Sequence, residues 1–439
     1  MKTVDWNTLD PAARLELLAR PRMESGAELE RIVADIIAGV RQRGDSAVAE
    51  YTRRFDGIEA PSLWQDSADH AALNPETDRA IDRAIETVRA FHAAGIPADY
   101  AVETAPGVAC RMRHLALSPV GLYVPAGSAP LPSTAIMLLV PALLAGCREI
   151  VMATPPNRAG RADDAVLAVA RKLGLAKVLI AGGAQAVAAM AYGSESVPAC
   201  TKLFGPGNRF VAEAKRQVAA DVEGAAQDLP AGPSEVLVIA DDSARPQWVA
   251  IDLLSQAEHG PDSQVLLVTD SARLAEAVTV EIKTLLKSLS RAETTAKALE
   301  HAAIVLVDDL DTAIEVSQRY APEHLMIQTI EAEAVAARIT TAGSVFVGHF
   351  TPESLGDYVS GTNHTLPTGG WARTTSGLAV TDFMRRMTVQ SASAAGLREL
   401  GPAGAQLAAH EGLDAHRLAI ELRLSQGAGN TAKEANGHE

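Results

Sequence analysis

The sequence predicts an α/β fold made of two doubly wound domains with parallel sheets. From Val120 onward, short apolar segments typical of buried strands alternate with helical segments of about 10–15 residues, the spacing of βαβ units. The strands fall into two sets, and a chain of 439 residues is too long for one simple hydrophobic core. Two sheets are therefore expected.

The strands of both sets are short and apolar. The first set comprises 149–153, 177–182 and 201–204. The second set comprises 235–240, 263–269, 302–308, 324–329 and 343–347. In open parallel sheets ligands bind beyond the carboxyl ends of the strands, so we expect the site in loops that follow strands.

Helices are predicted before and after the strands. Apolar residues recur at helical spacing from Gly26, pause at Gly44 and continue to Asp56, which predicts a helical pair without chemistry of its own. The strand signal ends after Leu378. The tail at 427–439 is rich in small and polar residues and is expected to be disordered.

We expect four parts in the chain. They are an N-terminal helical arm (1–22), a discontinuous first α/β domain (23–118 and 236–378), a second α/β domain (119–235) and a C-terminal helical extension (379–439). The first domain is expected to carry most of the functional site, because most of the polar motifs described below fall within it.

Composition excludes several classes of protein. The net charge of −15 argues against a nucleic-acid binder, whose affinity comes from cationic side chains. The longest apolar run, 135–147, is interrupted by Pro141 and is shorter than the ~20 residues that span a bilayer, so it predicts a buried helix. The polar N-terminus does not resemble a secretory signal. Cys110, Cys147 and Cys200 lie far apart, which fits reduced thiols in a cytoplasm.

The stretch DLLSQAEHG, residues 252–260, places an amide and an imidazole at the end of a predicted helix. On a helix over 246–258, Gln256 and His259 share one side and the apolar residues share the other. A solvated helix face is the commoner explanation when this stretch is taken alone.

Two glycine-rich turns follow strands of the first set. They are AGGAQAV (181–187) and FGPGNRFV (204–211). Each opens a helix, whose exposed N–H groups favour a phosphate or another polar ligand. The sequence lacks the G-x-G-x-x-G dinucleotide motif, and a tight strand-to-helix turn explains these glycines equally well.

The segment APEHL, residues 321–325, puts a carboxylate beside an imidazole at the start of an apolar strand. Adjacent strand residues point to opposite faces, so Glu323 and His324 share a pocket only where the backbone is irregular, as near Pro322. Such a pair can abstract protons, because the unperturbed pKa of histidine is about 6.5. A surface pair in front of a strand is an equal alternative.

A long Gly-, Thr- and Ser-rich segment, 351–377, carries Glu353, Asp357 and His364. A compact domain rarely keeps so long an irregular segment unless the segment builds a site. This segment is therefore a candidate source of ligands for a metal or a substrate.

Four residues scattered along the chain form a candidate metal shell. Asp357 can complete a shell with Gln256 and His259, and His416 is a candidate fourth ligand, with Glu411 nearby in sequence. Two imidazoles and two oxygens suit zinc better than calcium or magnesium. The spacing in HEGLDAH excludes the zinc-protease motif H-E-x-x-H.

A series of polar and glycine-rich motifs runs through the whole chain except its C-terminal tail. They are RGDSAVAEYTRRFDG, GLYVPAGSAPLPST, AGGAQAV, FGPGN, DLPAGPSEVLVIAD, LLSQAEHG, APEHL, TPESLGDYVSGTNHTLPTGG and AHRLAI. In these motifs and in their order the chain resembles the L-histidinol dehydrogenase family. The resemblance implies that both sheets are of the incomplete Rossmann-like type.

The resemblance also implies a role for individual residues. The implied ligands of one zinc ion per subunit are Gln256, His259, Asp357 and His416. His324 is implied as the general base and Glu323 as the residue that activates water. The implied substrate-binding residues are Ser234, Gln256, His259, His324, Glu353, Asp357, His364, Glu411 and His416. The implied NAD contacts are Tyr123, Gln185 and Asn208.

The activity that the resemblance implies is two successive oxidations, from L-histidinol to the aldehyde and then to L-histidine, each reducing one NAD. These are the last steps of histidine biosynthesis. The family is homodimeric, and its C-terminal segment crosses to the partner, so His416 is expected to reach the other subunit's site. We expect a cytoplasmic enzyme without nucleic-acid or membrane partners.

Two other functions remain compatible with the residues alone. An enzyme of the same fold would oxidise a different amino alcohol or a small diol, although Glu353 and Glu411 favour a cationic substrate. A metal-dependent hydrolase would use Glu323 and His324 to activate water without NAD. Aldehyde oxidation through a cysteine adduct is disfavoured, because no cysteine lies in a motif.

Overall fold

The computed structural model describes residues 1–21, 26–58, 62–126, 129–230 and 232–434. The chain forms two compact units. The first unit comprises Met1–Gly95 and Leu117–Phe383, and the second comprises Ile96–Ala116 and Met384–Glu439.

The helices and strands are numbered in chain order. The strands are β1 (Lys2–Asp5), β2 (Trp64–Asp66), β3 (Tyr100–Ala105), β4 (Val108–Ala116), β5 (Val120–Tyr123), β6 (Ile150–Thr154), β7 (Lys177–Ile180), β8 (Lys202–Phe204), β9 (Ala226–Gln227), β10 (Glu235–Ala240), β11 (Gln264–Thr269), β12 (Ala303–Leu306), β13 (His324–Gln328), β14 (Ser344–Val347) and β15 (Met384–Ala392). The helices are α1 (Pro11–Leu17), α2 (Ala27–Arg43), α3 (Asp45–Asp56), α4 (Pro75–Ala94), α5 (Pro132–Ala145), α6 (Asp164–Lys172), α7 (Gly183–Tyr192), α8 (Arg209–Ala220), α9 (Pro246–Ala257), α10 (Ala272–Leu285), α11 (Ala292–Ala298), α12 (Leu310–Tyr320), α13 (Ala332–Ala336), α14 (Glu353–Tyr358), α15 (Ala394–His410) and α16 (Asp414–Glu434).

The first unit contains two six-stranded sheets. Sheet A has the order β1-β12-β11-β10-β13-β14, and all its strands are parallel. Sheet B has the order β2-β7-β6-β5-β8-β9, and only β2 runs antiparallel to its neighbour. The winding direction reverses between β10 and β13 in sheet A and between β5 and β8 in sheet B. The predicted fold class of two doubly wound parallel sheets is confirmed.

Between their polar end residues the central strands of sheet A are continuously apolar, because both of their faces are covered. Val236 and Val238 in β10 pack into the core on one face, and Leu237 and Ile239 pack into the core on the other. Successive strand residues point to opposite faces, so a strand buried on both sides has no polar alternation. This explains the continuous apolar stretch VLVIA.

The predicted helical pair at 26–56 is confirmed as α2 and α3, which meet at Gly44. Gly44 has a φ of 53°, and a Cβ there would lie 2.0 Å from a carboxylate oxygen of Glu195, so only glycine fits. The apolar residues Val33 and Val40 pack in one core with Leu179 of sheet B.

This packing differs from the domain grouping expected from the sequence. The sequence pattern groups 23–118 with 236–378, but α2 and α3 cover sheet B, and β2 is an edge strand of the same sheet. An amphipathic helical pair has one apolar face, and its pattern does not record which of two sheets that face covers.

Two strands lie where only helices were expected. Within 1–22, residues 2–5 form β1 at the edge of sheet A, and after Leu378 residues 384–392 form β15. The expectation that strands end at Leu378 is wrong. Both strands expose much of their length and carry polar side chains, so neither has the apolar signal of a buried strand.

The second unit is a three-stranded antiparallel sheet, β15-β4-β3, followed by the helical hairpin α15–α16. The predicted C-terminal helix is present. It extends to Glu434, so the expectation of disorder is wrong for 427–434, and 435–439 lie outside the described residues.

The apolar run at 135–147 forms most of α5, as predicted, and its side chains are almost all buried in the first unit. No helix among the described residues is long and apolar enough to cross a membrane.

Replacing Leu237 in β10 with alanine tests the double burial of sheet A. Leu237 is fully buried, so the variant is expected to lose about 2–5 kcal/mol in free energy of unfolding through lost burial and a residual cavity. Leu15→Ala is the matched control, because Leu15 is 73% exposed and its loss is expected to stay within about 0.5 kcal/mol. Equal losses in denaturant titrations of the two variants would contradict this account.

Candidate active site

A cleft with a volume of about 560 Å³ opens between the two sheets of the first unit. On one side lie loops that follow strands of sheet B, with Pro125 after β5 and Gly205–Asn208 after β8. On the other side lie residues that precede strands of sheet A, with Ser234 before β10 and Glu323 before β13. We expected the site beyond the carboxyl ends of the strands. This expectation is correct for sheet B and wrong for sheet A, whose strands meet the cleft with their amino ends.

The end of α9 places His259 at this cleft and Gln256 behind it, against His324. Gln256 is fully buried; its Nε2 donates to the backbone oxygen of Glu235 at 3.2 Å and lies 3.2 Å from Nδ1 of His324. Its Oε1 has no hydrogen-bond partner among the described residues. His259 lines the cleft, with Nδ1 3.4 Å from the hydroxyl of Ser234. The solvated-face explanation is wrong for Gln256, whereas His259 keeps an exposed side chain at the mouth of the cleft.

An irregular turn brings Glu323 and His324 into the same cleft. Ala321 has a φ of 51°, in the left-handed region, directly before Pro322. The carboxylate of Glu323 then accepts a hydrogen bond from the N–H of Glu235 at 2.9 Å, while His324 begins β13. Both side chains line the cleft and are more than nine-tenths buried, so the alternative of a surface pair is wrong.

Helix α14 adds two carboxylates around His324. Nε2 of His324 lies 3.7 Å from Oδ1 of Asp357, and Nδ1 lies 4.0 Å from Oε1 of Glu353. One ligand atom from each of these three residues lies within 4.8 Å of the others, close enough to hold one metal ion. Gly356 permits this approach, because a Cβ there would lie 2.5 Å from the ring of Phe346.

Burial and charge distribute the protons in this cluster unevenly. Burial raises the pKa of Glu323 to about 7 and the pKa of Glu353 to about 8. Burial alone would lower the pKa of His324. The surrounding carboxylates, Glu353 most of all, outweigh this effect and raise that pKa well above its usual value. Burial alone would raise the pKa of Asp357. The nearby imidazole of His324 outweighs this effect, and the pKa of Asp357 is lowered. Carboxylates this crowded become fully ionised only beside a compensating cation.

Desolvation also acts on the other two histidines of the cleft. It lowers the pKa of His259 and of His364. Nδ1 of His364 donates to the backbone oxygen of Asp357 at 3.0 Å, which leaves Nε2 of the neutral ring to accept from the hydroxyl of Thr134 at 3.1 Å. A neutral imidazole is the form that binds metals and polar ligands.

Of the residues expected to contact a dinucleotide, Asn208 lines the cleft, whereas Tyr123 and Gln185 are buried on the sheet B side and are not among its lining residues. Tyr123 ends β5, and its hydroxyl accepts a hydrogen bond from the N–H of Gly183 at 3.0 Å. Gln185 is buried in the first turn of α7, and its Oε1 has no partner within the described ranges. Asn208 caps the N-terminus of α8 by accepting from two backbone N–H groups.

A buried ion pair, missed from the sequence, holds the FGPGN turn. Lys215 pairs with Asp228 and donates to the backbone oxygen of Gly205 at 2.9 Å, while Asp228 accepts from the N–H of Gly205 at 2.7 Å. A signal existed, because Lys215 is four residues from Val211 and three from Val218 on the buried face of α8.

Glu235 was also missed, although it contacts three predicted site residues. Its backbone oxygen lies 3.1 Å from Nδ1 of His324, besides its contacts with Gln256 and Glu323. A charged residue opening a wholly apolar strand was the available signal, because carboxylates are rarely buried without a partner.

Glu411 and His416 belong to the second unit. Glu411 follows α15, and His416 lies in the first turn of α16. Both side chains are exposed in the single chain. Their expected roles stay predictions.

A buried histidine among carboxylates, in a cleft between two doubly wound sheets, defines an α/β enzyme that moves protons on a small polar molecule. The family model for histidinol dehydrogenase matches residues 19–424. The chain belongs to the histidinol dehydrogenase family.

Similar proteins agree over nearly the full length. A histidinol dehydrogenase from Xanthomonas euvesicatoria is 54% identical, with 97% of this chain and 99% of that protein covered. One from Idiomarina loihiensis is 52% identical, with 95% and 96% covered. The crystal structure of histidinol dehydrogenase from Elizabethkingia anophelis matches with a TM-score of 0.93 at 38% identity, covering 97% and 98% of the two chains. The chain is thus an oxidoreductase of histidine biosynthesis that acts on histidinol, and the hydrolase alternative is wrong.

Asp252 generates a pH-dependent prediction for stability. Burial raises its pKa to about 7, and its carboxyl accepts a hydrogen bond from Gln328 at 2.7 Å. The folded protein therefore keeps a proton that the unfolded chain releases above its ordinary pKa near 3.8, so wild-type stability falls as pH rises through that window. Asp252→Asn is expected to gain on the order of 2–3 kcal/mol relative to wild type between about pH 5 and pH 8, since one pKa unit is about 1.4 kcal/mol.

Denaturant titrations of the metal-free protein at about pH 5 and about pH 8 measure the difference in stability between wild type and Asp252→Asn. The control is Asp35→Asn, at an exposed position of α2, which is expected to follow wild type at both pH values. If the free energy of unfolding changes with pH in the same way for wild type and Asp252→Asn, the burial of Asp252 is not linked to its protonation.

Proposed function

We propose that the chain catalyses both oxidations that convert L-histidinol to L-histidine, with two NAD and one zinc ion per subunit. The observation that carries the proposal is the Nε2 atom of His324, which is buried and has no hydrogen-bond partner among the described residues. A bound cation would offset the carboxylates that raise the pKa of His324, and Nε2 could then accept a proton from a bound substrate beside Glu323, the second candidate base.

Three described residues support a zinc site. Gln256 has a buried oxygen without a partner among the described residues, desolvation lowers the pKa of His259, and the pKa of Asp357 is lowered by His324 in spite of desolvation. With His416 of the partner subunit they supply two imidazoles and two oxygens, a donor set that suits zinc. When bound, the zinc ion supplies a positive charge that orients the imidazole and amine of the substrate.

Three residues on the sheet B side support an NAD site. Tyr123, Gln185 and Asn208 all lie at carboxyl ends of strands, and the crevice between β5 and β8 is where the winding direction reverses. Gln185 adds a buried oxygen in need of a donor. When bound, NAD accepts the hydride that leaves the carbinol carbon.

The remaining polar residues fit a cationic substrate. Glu353 is almost fully buried, and one of its oxygens lacks a partner within the described part of the chain. We assign Glu353, Ser234 and His364, with Glu411 of the partner subunit, to the amine and imidazole of histidinol. A buried carboxylate favours an ammonium group because the pair compensates both charges.

His324 and Glu323 divide the proton transfers. In the first oxidation His324 takes the hydroxyl proton while hydride leaves. In the second, Glu323 deprotonates a water that adds to the aldehyde, and His324 accepts a proton from the resulting hydrate. The carbonyl of Glu235 can accept the Nδ1 proton of His324 at 3.1 Å, which leaves Nε2 as the basic nitrogen.

Cys147 and Cys200, two of the three cysteines, do not offer the alternative route through a covalent adduct. Burial raises the pKa of Cys147 to about 11 and the pKa of Cys200 to about 12, so neither is a thiolate near neutral pH. We further propose a cytoplasmic homodimer with shared sites and without nucleic-acid or membrane partners.

Replacing the two bases separately tests their roles. His324→Asn is expected to lower kcat of both oxidations by about 10²–10⁴, the usual contribution of a general base. Glu323→Gln is expected to spare oxidation of histidinol to the aldehyde and to slow oxidation of the aldehyde. NADH absorbance with each substrate measures the two steps, and wild type is expected to form two NADH per histidinol. His301→Asn, at an exposed position, is the control; near-normal first-step turnover by His324→Asn would refute the assignment.

Mixed dimers test the shared site. His416→Ala and His324→Asn are each expected to be inactive alone. After the two are unfolded and refolded together in equal amounts, half the dimers carry one intact site, so activity is expected to reach about a quarter of wild type. If His416 serves its own subunit, no mixed dimer has an intact site, and the mixture stays inactive.

A further inference from the structure

We propose that Arg20 and Glu235 form a positioning pair that sets the geometry of the two catalytic side chains, Glu323 and His324. The proposal rests on the catalytic roles proposed above. Arg20 meets Glu235 through two hydrogen bonds, from Nε to Oε1 at 2.6 Å and from Nη2 to Oε2 at 2.9 Å. Such a two-point contact fixes orientation as well as distance.

The backbone of Glu235 is the element that the pair orients. Its N–H donates to the carboxylate of Glu323 at 2.9 Å, and its carbonyl oxygen lies 3.1 Å from Nδ1 of His324. One peptide segment therefore places the base that activates water and sets which nitrogen of the histidine is basic. A rotation of this segment would disturb both residues together.

The side chain of Glu235 is buried where a charge needs full compensation. It is 3% exposed, and besides Arg20 it accepts a hydrogen bond from the N–H of Gly369 at 2.6 Å. Gly369 belongs to the long segment that also carries Asp357. The carboxylate thus ties the start of β10 to the loop that completes the site, and only a cation can balance it at this burial.

Arg20 also holds the turn that carries Glu323. Its Nη2 donates to the backbone oxygens of Tyr320 at 2.7 Å and Ala321 at 3.3 Å, and its guanidinium lies 3.9 Å from the centre of the Tyr320 ring. Ala321 is the residue with the left-handed backbone, so these bonds act on the most constrained part of the turn. One side chain therefore contacts both the start of β10 and the turn before β13 that carries the catalytic residues.

Neither Arg20 nor Glu235 is among the described residues that line the cleft. Their effect on catalysis is therefore indirect. Misplacement of catalytic groups by about 1 Å through a remote substitution can lower the rate about 10²-fold. Loss of the pair is expected to lower kcat more than it raises KM, because the groups that bind the substrate keep their own contacts.

The experiment uses the full-length, zinc-loaded protein with Arg20→Ala, Arg20→Lys and Glu235→Gln. Arg20→Ala and Glu235→Gln are expected to lower kcat for histidinol about 10–100-fold while KM changes by less than about 3-fold. Arg20→Lys keeps the charge without the two-point contact and is expected to lie between Arg20→Ala and wild type. It also serves as the test variant if Arg20→Ala does not fold.

Tyr320→Phe is the matched structural control. It removes the buried hydrogen bond from the Tyr320 hydroxyl to Oε1 of Gln264 at 2.8 Å but keeps the ring beneath Arg20. Tyr320→Phe is expected to lower the thermal unfolding midpoint and to keep kcat. The midpoint is measured on both the zinc-loaded and the metal-free protein. If Tyr320→Phe lowers kcat as far as Arg20→Ala does, the loss comes from local packing and the proposal is wrong.

Chemical rescue separates positioning from stability. Arg20 lines two open clefts, of about 250 Å³ and about 390 Å³, so a methylguanidinium ion can reach the space left in Arg20→Ala. The ion is expected to raise kcat of Arg20→Ala and to leave wild type and Tyr320→Phe unchanged. A kcat that the ion does not raise contradicts the proposal.

His324→Asn distinguishes the two proposals. If His324→Asn is inactive while Arg20→Ala keeps wild-type kcat, the positioning role alone fails. If His324→Asn stays active, the proposed catalytic function fails whatever the effect of Arg20.

Discussion

The burial of three carboxylates around one imidazole is the constraint on which the rest of the site depends. Glu323, Glu353 and Asp357 surround His324 where water screens them little, so they reach full ionisation only with added positive charge. Burial alone would lower the pKa of His324, but the surrounding carboxylates outweigh it and raise that pKa. A cation bound here would reduce the repulsion among these carboxylates and so stabilise the folded chain.

The two sheets contribute opposite edges to the cleft, and each edge suits its part of the chemistry. Carboxyl ends of strands in sheet B lead into helix N-termini, whose N–H groups favour a phosphate-bearing molecule. Amino ends of strands in sheet A leave the N–H and carbonyl of Glu235 free to hold Glu323 and His324. Rigid strands position these side chains more firmly than a loop would, which matters for proton transfer at hydrogen-bond distance.

How far the sequence predicts the structure depends on what each pattern records. Burial on both faces makes β10 apolar after Glu235, so the sheets were predictable, whereas β1 and β15 expose polar side chains and were missed. Local motifs identified Gln256 and the Glu323–His324 pair. They did not identify the contact between Arg20 and Glu235, because it joins residues 215 positions apart and leaves no periodic trace.

The pairing of β1 with β12 has a consequence for how the protein is made. Thr3 lies opposite Ile304, so β1 leaves the ribosome about 300 residues before its neighbour; at about 5–20 residues per second this is roughly 15–60 s. During that interval the nascent chain carries an unpaired strand. Lys2, Thr3 and Asp5 keep it polar, a composition that discourages edge-to-edge aggregation with other chains until translation supplies the correct neighbour.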